Sequence, residues 1–161
     1  MKHYKAPWST SLTVVTSAVT VLLLGITFGM AFYGRGIVSW VGLLPLAILV
    51  CSIPFTIRGY TVTPEAILVH RLFWTTRLPL SGLESAKFAP EAMRRSIRTF
   101  GNGGLFSITG FFRNKTLGAY RAFVTDQHQT VVLHYSGRTV VVSPSSPEEF
   151  VHDIGIPSHA A

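Results

Sequence analysis

Two stretches near the N-terminus, residues 12–32 and 37–57, contain no charged side chain. Each is 21 residues long. At about 1.5 Å of rise per residue, each would reach roughly 30 Å as a helix, the thickness of a bilayer's hydrocarbon core. One wholly apolar helix can belong to a soluble core, but two in succession are expected to prefer lipid. The four residues between them, Tyr33-Gly34-Arg35-Gly36, leave room only for a reversal, so a helical hairpin is predicted. Pro45 and Pro54 fall in the second run and are expected to bend it. Ser52 and Thr56 are candidates to satisfy the carbonyls that the prolines free. Tyr4, Trp8, Phe32 and Tyr33 flank the first run as interfacial aromatics do. Lys2, Lys5 and Gly29-Met30-Ala31 have the form of a signal peptide, but the apolar run exceeds a usual signal core, and retention is expected.

From Arg58 the pattern shifts to short β-branched runs broken by turn residues. Strands are predicted over 60–63, 66–72, 75–80 and 83–88, with Pro64-Glu65 turning the first pair. Others follow over 120–125, 130–135 and 138–143, the last two joined by Ser136-Gly137 as a two-residue hairpin turn. Counting 105–110, about seven strands are expected. Ser146-Pro147-Glu148-Glu149 has the capping-box form, with serine at N-cap, proline at N1 and glutamate at N3. A helix over 147–154 is predicted, stopped by Gly155 with Pro157 beyond, and its apolar stripe is Phe150, Val151 and Ile154.

Composition sharpens the boundary near residue 58. Every acidic residue lies at or beyond Glu65, and only Lys2, Lys5 and Arg35 carry charge before Arg58. What remains, about 100 residues, suffices for one compact domain and is too short for two. Its eleven Lys and Arg against seven Asp and Glu leave +4, which suits an anionic lipid surface and equally an ordinary soluble domain. Lys2 and Lys5 before the hairpin, and Arg58, Arg71 and Arg77 after it, outweigh Arg35 in the turn. Both termini are therefore expected in the cytoplasm. Cys51 is the only cysteine, which leaves no intramolecular disulfide and no cysteine metal site.

Residues 90–100 read as a short amphipathic helix, with Met93, Ile97 and Phe100 on one face and Arg94, Arg95 and Arg98 away from it. Glycine-rich 101–104 follows and could offer backbone N–H groups to phosphate, with Arg113, Lys115 and Arg121 adding charge. These six cations form the candidate lipid or partner contact. Phe106, Phe111 and Phe112 are expected in the core or at the bilayer interface. Asn114-Lys115-Thr116 has the form of a glycosylation acceptor, inert on a cytoplasmic face. His70, His128, His134 and His152 match no ligand spacing, so no catalytic residue, metal or cofactor is indicated. Nucleic-acid binding is not expected at +4 without a motif.

The stretch from Tyr60 to Val69, the run Leu78-Pro79-Leu80-Ser81-Gly82-Leu83-Glu84-Ser85, and the step from Ser143 to Phe150 carry a resemblance. In order and spacing they resemble the opening hairpin, a strand start and the capping helix of bacterial pleckstrin-homology-like (PH-like) domains. The likeness covers about 58–155, apart from a long insert at 90–118. It implies a membrane-anchored α+β chain: a transmembrane hairpin in 1–57, then an antiparallel PH-like barrel closed by a C-terminal helix, and a tail at 156–161. The implied role is non-enzymatic, a scaffold or protein-interaction module at the inner membrane face of a bacterium. Expected partners are the bilayer and either another protein or a second copy. Anionic-lipid binding through the insert, or service as an accessory subunit of a membrane enzyme or transporter, are the alternatives.

Overall fold

The computed structural model describes residues 1–155; the expected tail at 156–161, with Pro157, lies outside the described residues. Helix α1 spans Thr10–Tyr33, and Ser9 caps it by accepting a hydrogen bond from the Leu12 N–H at 3.2 Å. The second apolar run comprises α2 (Ile37–Val41), α3 (Leu43–Ser52) and a single 3₁₀ turn (Ile53–Phe55). It is shorter than expected, because strand pairing already claims Ile57. Its irregularity falls at Gly42, where a Cβ would lie 2.7 Å from Met30 of α1, so the two helices approach closely there. Ser52 Oγ donates to Ile48 O and Thr56 Oγ1 to Ile53 O, both at 2.7 Å. These are not the carbonyls of Val41 and Val50, four residues before each proline, that Pro45 and Pro54 leave without a partner. Both apolar helices are long enough to cross a membrane, and few residues of either are buried.

Among the described residues, ten strands form two sheets. The first has the order β1 (Lys2–Lys5), β2 (Ile57–Val62), β3 (Ala66–Arg71), β4 (Thr75–Pro79), all antiparallel. The second contains β5 (Leu83–Phe88), β6 (Ile97–Gly103), β7 (Ile108–Asn114), β8 (Gly118–Val124), β9 (Val131–Tyr135) and β10 (Arg138–Val142). Its order is β5-β9-β10-β8-β7-β6. The β9–β10 hairpin turns at Ser136-Gly137 as predicted and folds back between β5 and β8, so β10 runs parallel to β8. Two apolar helices, a β-rich domain of two sheets and a C-terminal helix agree with the expected PH-like fold; the differences are more strands than the seven expected, and one parallel pair among them. The expected helix over 90–100 is also absent. Glu91 and Arg95 adopt φ of 64° and 55°, which no α-helix accommodates, and the chain from Ile97 pairs with β7 instead.

Alternation along β8, β9 and β10 buries both faces of the second sheet at its centre. Phe123, Leu133, Val140 and Val142 point into one cluster with Tyr60 and Phe150; Ala122, Val124, Val132 and Val141 point into another with Met93 and Leu12. The first turn of α1 therefore belongs to the domain. Helix α4 (Pro147–Ile154) covers the first cluster with Phe150 and Ile154 and stops at Gly155, whose φ is 69°. The capping box does not form: Ser146 makes no side-chain cap, and Glu149 accepts from Lys2 Nζ at 3.0 Å.

Strand β1 is a further element that sequence patterning missed. Tyr4 is buried beneath α4, with its ring edge-on to Phe150 at 5.2 Å and its hydroxyl bonded to Asp153. Tyr4→Ala should cost about 3 kcal/mol, as aromatic truncations in cores do. Thermal unfolding of the full chain in detergent reads this, and a fragment of residues 58–161 should show no cooperative transition. An equally stable fragment would sink the claim.

A buried polar group ties the two sheets together. The Tyr60 hydroxyl donates to Phe123 O at 2.7 Å and accepts from the Ser143 N–H at 3.2 Å, and burial pushes its pKa up to about 12. Tyr60→Phe should lose roughly 1–3 kcal/mol by stranding both partners. Because the folded pKa is raised, the contribution is complete below pH 10, the unfolded value, and disappears as pH rises through about 12. Denaturant titrations should show a flatter stability profile for Tyr60→Phe across that window.

Candidate functional site

The tip of the β6–β7 hairpin is held by both apolar helices. Thr16 Oγ1 of α1 donates to Gly104 O and accepts from the Phe106 N–H, both at 3.1 Å. Ser107 Oγ donates to Phe55 O at 2.9 Å, at the end of the second apolar run. Behind the tip, Gly101 and Gly110 face each other at φ of 110° and 147°, and a Cβ on either would strike the opposite backbone. Only glycine lets these strands approach so closely.

A cavity of about 550 Å³ opens between this hairpin and the second apolar run. Ile48, Ser52 and Phe55 line one side; Phe100 and Phe111 line the other. Three arginines complete it: Arg71 at the end of β3, Arg98 on β6 and Arg121 on β8.

Arg71 is the unusual member. It is 7% exposed, and its guanidinium lies 5.0 Å from the Phe123 ring, 5.4 Å from Trp74 and 5.7 Å from Phe55. Its Nε has no acceptor among the described residues. Burial, and secondarily the nearby Arg121, lowers its pKa to about 10, so it remains a cation at neutral pH. Arg121 lies 4.8 Å from the centre of the same Phe123 ring and 5.7 Å from that of Phe111. Such aromatic faces stabilise a guanidinium without neutralising it. No carboxylate pairs with any of the three among the described residues.

The six predicted contact residues do not form one patch. Arg98 and Arg121 reach this cavity. Arg94 and Arg95 line a different one beside Leu117, where Arg94 pairs with Glu91 at 3.2 Å. Arg113 is exposed on β7 opposite Ile97, and Lys115 is exposed in the following turn. The glycine-rich segment does not present amides to phosphate either: the Gly104 and Leu105 N–H groups donate to Asn102 Oδ1 at 3.2 and 3.0 Å. Asn114 is likewise engaged, donating to Ala92 O at 2.8 Å and accepting from the Leu117 N–H at 2.7 Å. Of the three phenylalanines, Phe112 is core, Phe106 packs on Trp8 at 6.4 Å, and Phe111 is exposed at the cavity.

Arg71 escaped the sequence reading although a signal was present. Ile67, Val69 and Arg71 share the buried phase of β3, and a cation in that phase is out of place. Aromatics gather at the same end: Trp74 packs edge-on to Phe55 at 5.4 Å, and Phe73 beside it is 73% exposed. The histidines do no comparable work. His70 bonds Thr61 at 2.8 Å, and no three His, Cys, Asp or Glu side chains converge on a metal site among the described residues.

Neither a curated protein nor a solved structure matches the chain. One family model does, that of the bacterial PH domain, over residues 58–155. The match begins directly after the apolar helices and runs through α4, leaving β1 outside it. Covering more than half of the sequence, and fitting a β-rich domain of two sheets with a C-terminal helix, it makes this chain a member of the bacterial PH domain family.

Proposed function

We propose that the chain is a non-enzymatic binding module, held by its helical hairpin flat against the cytoplasmic face of a bacterial membrane. The observation that carries this is the pairing of β1 with β2, from Lys2↔Val62 to Lys5↔Gly59. These strands flank the hairpin in sequence, so both of its ends leave from the same side and from adjacent strands. Trp8, Phe73 and Trp74, exposed near the helix ends, suit the headgroup level. The excess of Lys and Arg at that end over Arg35 in the turn supports a cytoplasmic domain.

Orientation is tested with single cysteines in a Cys51→Ala background. An impermeant maleimide applied to intact spheroplasts should label Arg35→Cys, and should label Ser136→Cys only after permeabilisation. The reverse pattern, or labelling of both, would sink the topology.

A scaffolding role has its own support in β6. This edge strand of seven residues carries Ile97 at 74% and Phe100 at 76% exposure. Exposed apolar edges are templates for a strand from another chain. A photo-crosslinking side chain placed at Ile97 should capture a protein, either a partner or a second copy. Adducts to lipid alone would remove the scaffold reading.

A further inference from the structure

The arginine-lined cavity carries a feature that folding does not require. An unpaired guanidinium that is nine-tenths buried destabilises a domain unless something compensates its charge. The rings of Phe55, Trp74 and Phe123 compensate only in part, and Arg71 Nε still has no acceptor among the described residues. Arg98 and Arg121 line the same space, and no acidic residue does. Three cations without an anion define a receptor for one.

The walls narrow the class of anion. Ile48 and Phe55 on the helix side, and Phe100 and Phe111 on the hairpin side, are hydrocarbon surface. A hydrated inorganic anion gains nothing from such walls, whereas an acyl chain gains in proportion to the area it covers. The planar fork of arginine suits a phosphate held by two oxygens. A volume of about 550 Å³ is ample for a phosphate and glycerol unit.

We propose that this cavity binds one anionic phospholipid. Its phosphate sits among Arg71, Arg98 and Arg121, and its acyl chains begin along Ile48, Phe55 and Phe100. The inference rests on the preceding reading that the second apolar run lies in the bilayer, since the cavity then opens at headgroup level. Arg94, Arg95, Arg113 and Lys115 take no part.

The test uses the full chain in mild detergent, with phosphatidylglycerol, phosphatidylcholine and inorganic phosphate as probes and native mass spectrometry as readout. One phosphatidylglycerol per chain should persist, bound at least about tenfold more tightly than phosphatidylcholine, as expected for charge-assisted contacts. Excess inorganic phosphate should leave it in place. Arg98→Gln with Arg121→Gln, both at exposed side chains, should weaken retention about tenfold while the unfolding temperature holds. Arg71→Met should weaken it further. Arg113→Gln with Lys115→Gln should bind like the unaltered chain. Undiminished retention in the Arg98/Arg121 double variant overturns the proposal, as does equal retention of phosphatidylcholine. Displacement by inorganic phosphate alone overturns the lipid assignment. Recovery of the chain from the soluble fraction without detergent defeats the membrane reading itself, which is distinct from a membrane-bound chain that holds no anionic lipid.

Discussion

Four residue pairs between β1 and β2 hold this molecule in its shape. They join the chain just before the helical hairpin to the chain just after it, at the roughly 5 Å spacing of neighbouring strands. Gly59 makes the contact possible, because a Cβ there would sit 2.7 Å from Tyr4 O. Ser9 extends the attachment, capping α1 with its hydroxyl and donating its N–H to Thr125 O at 3.2 Å. A hairpin joined at both of its ends to adjacent strands has less freedom than one on a single flexible linker.

That attachment explains where the cavity lies. The β6–β7 tip is gripped by Thr16 from one helix and by the Phe55 carbonyl from the other, so the glycine-paired strands are drawn alongside the second apolar run. The space left over is bounded by apolar helix on one side and by arginine-bearing sheet on the other. A buried guanidinium there costs several kcal/mol of desolvation, and each aromatic face returns about 0.5–2 kcal/mol. The balance leaves a site that is stable enough to fold and still short of an anion. Stability given up at one position for the sake of binding is a common arrangement in proteins.

Elements whose signal is local were legible in the sequence. The uncharged runs, the Ser136-Gly137 turn and the Pro147–Ile154 helix with its Gly155 stop all depend on neighbours a few residues away. Elements made by distant partners were not. Lys2–Lys5 offers one apolar position in four residues, and it becomes a strand only because β2 presents an open edge. Residues 90–100 satisfy helical spacing on paper, yet pairing with β7 recruits Ile97 onward into the sheet. That change disperses the predicted basic patch, because Arg98 is carried onto β6 while Arg94 and Arg95 stay in the turns before it.

Charge-free length and hydrophobic period were therefore enough to indicate the two apolar helices and the β-rich class, since each follows from burial preferences acting over short distances. The folded structure alone chose the strand order, the parallel β8–β10 pair and the strap formed by β1. It alone brought Arg71, Arg98 and Arg121, from three separate strands, around one cavity. Pairings across 50 to 60 residues are set by which sheet edge remains open and which side chains fit beneath it. Those conditions exist only after the chain has folded.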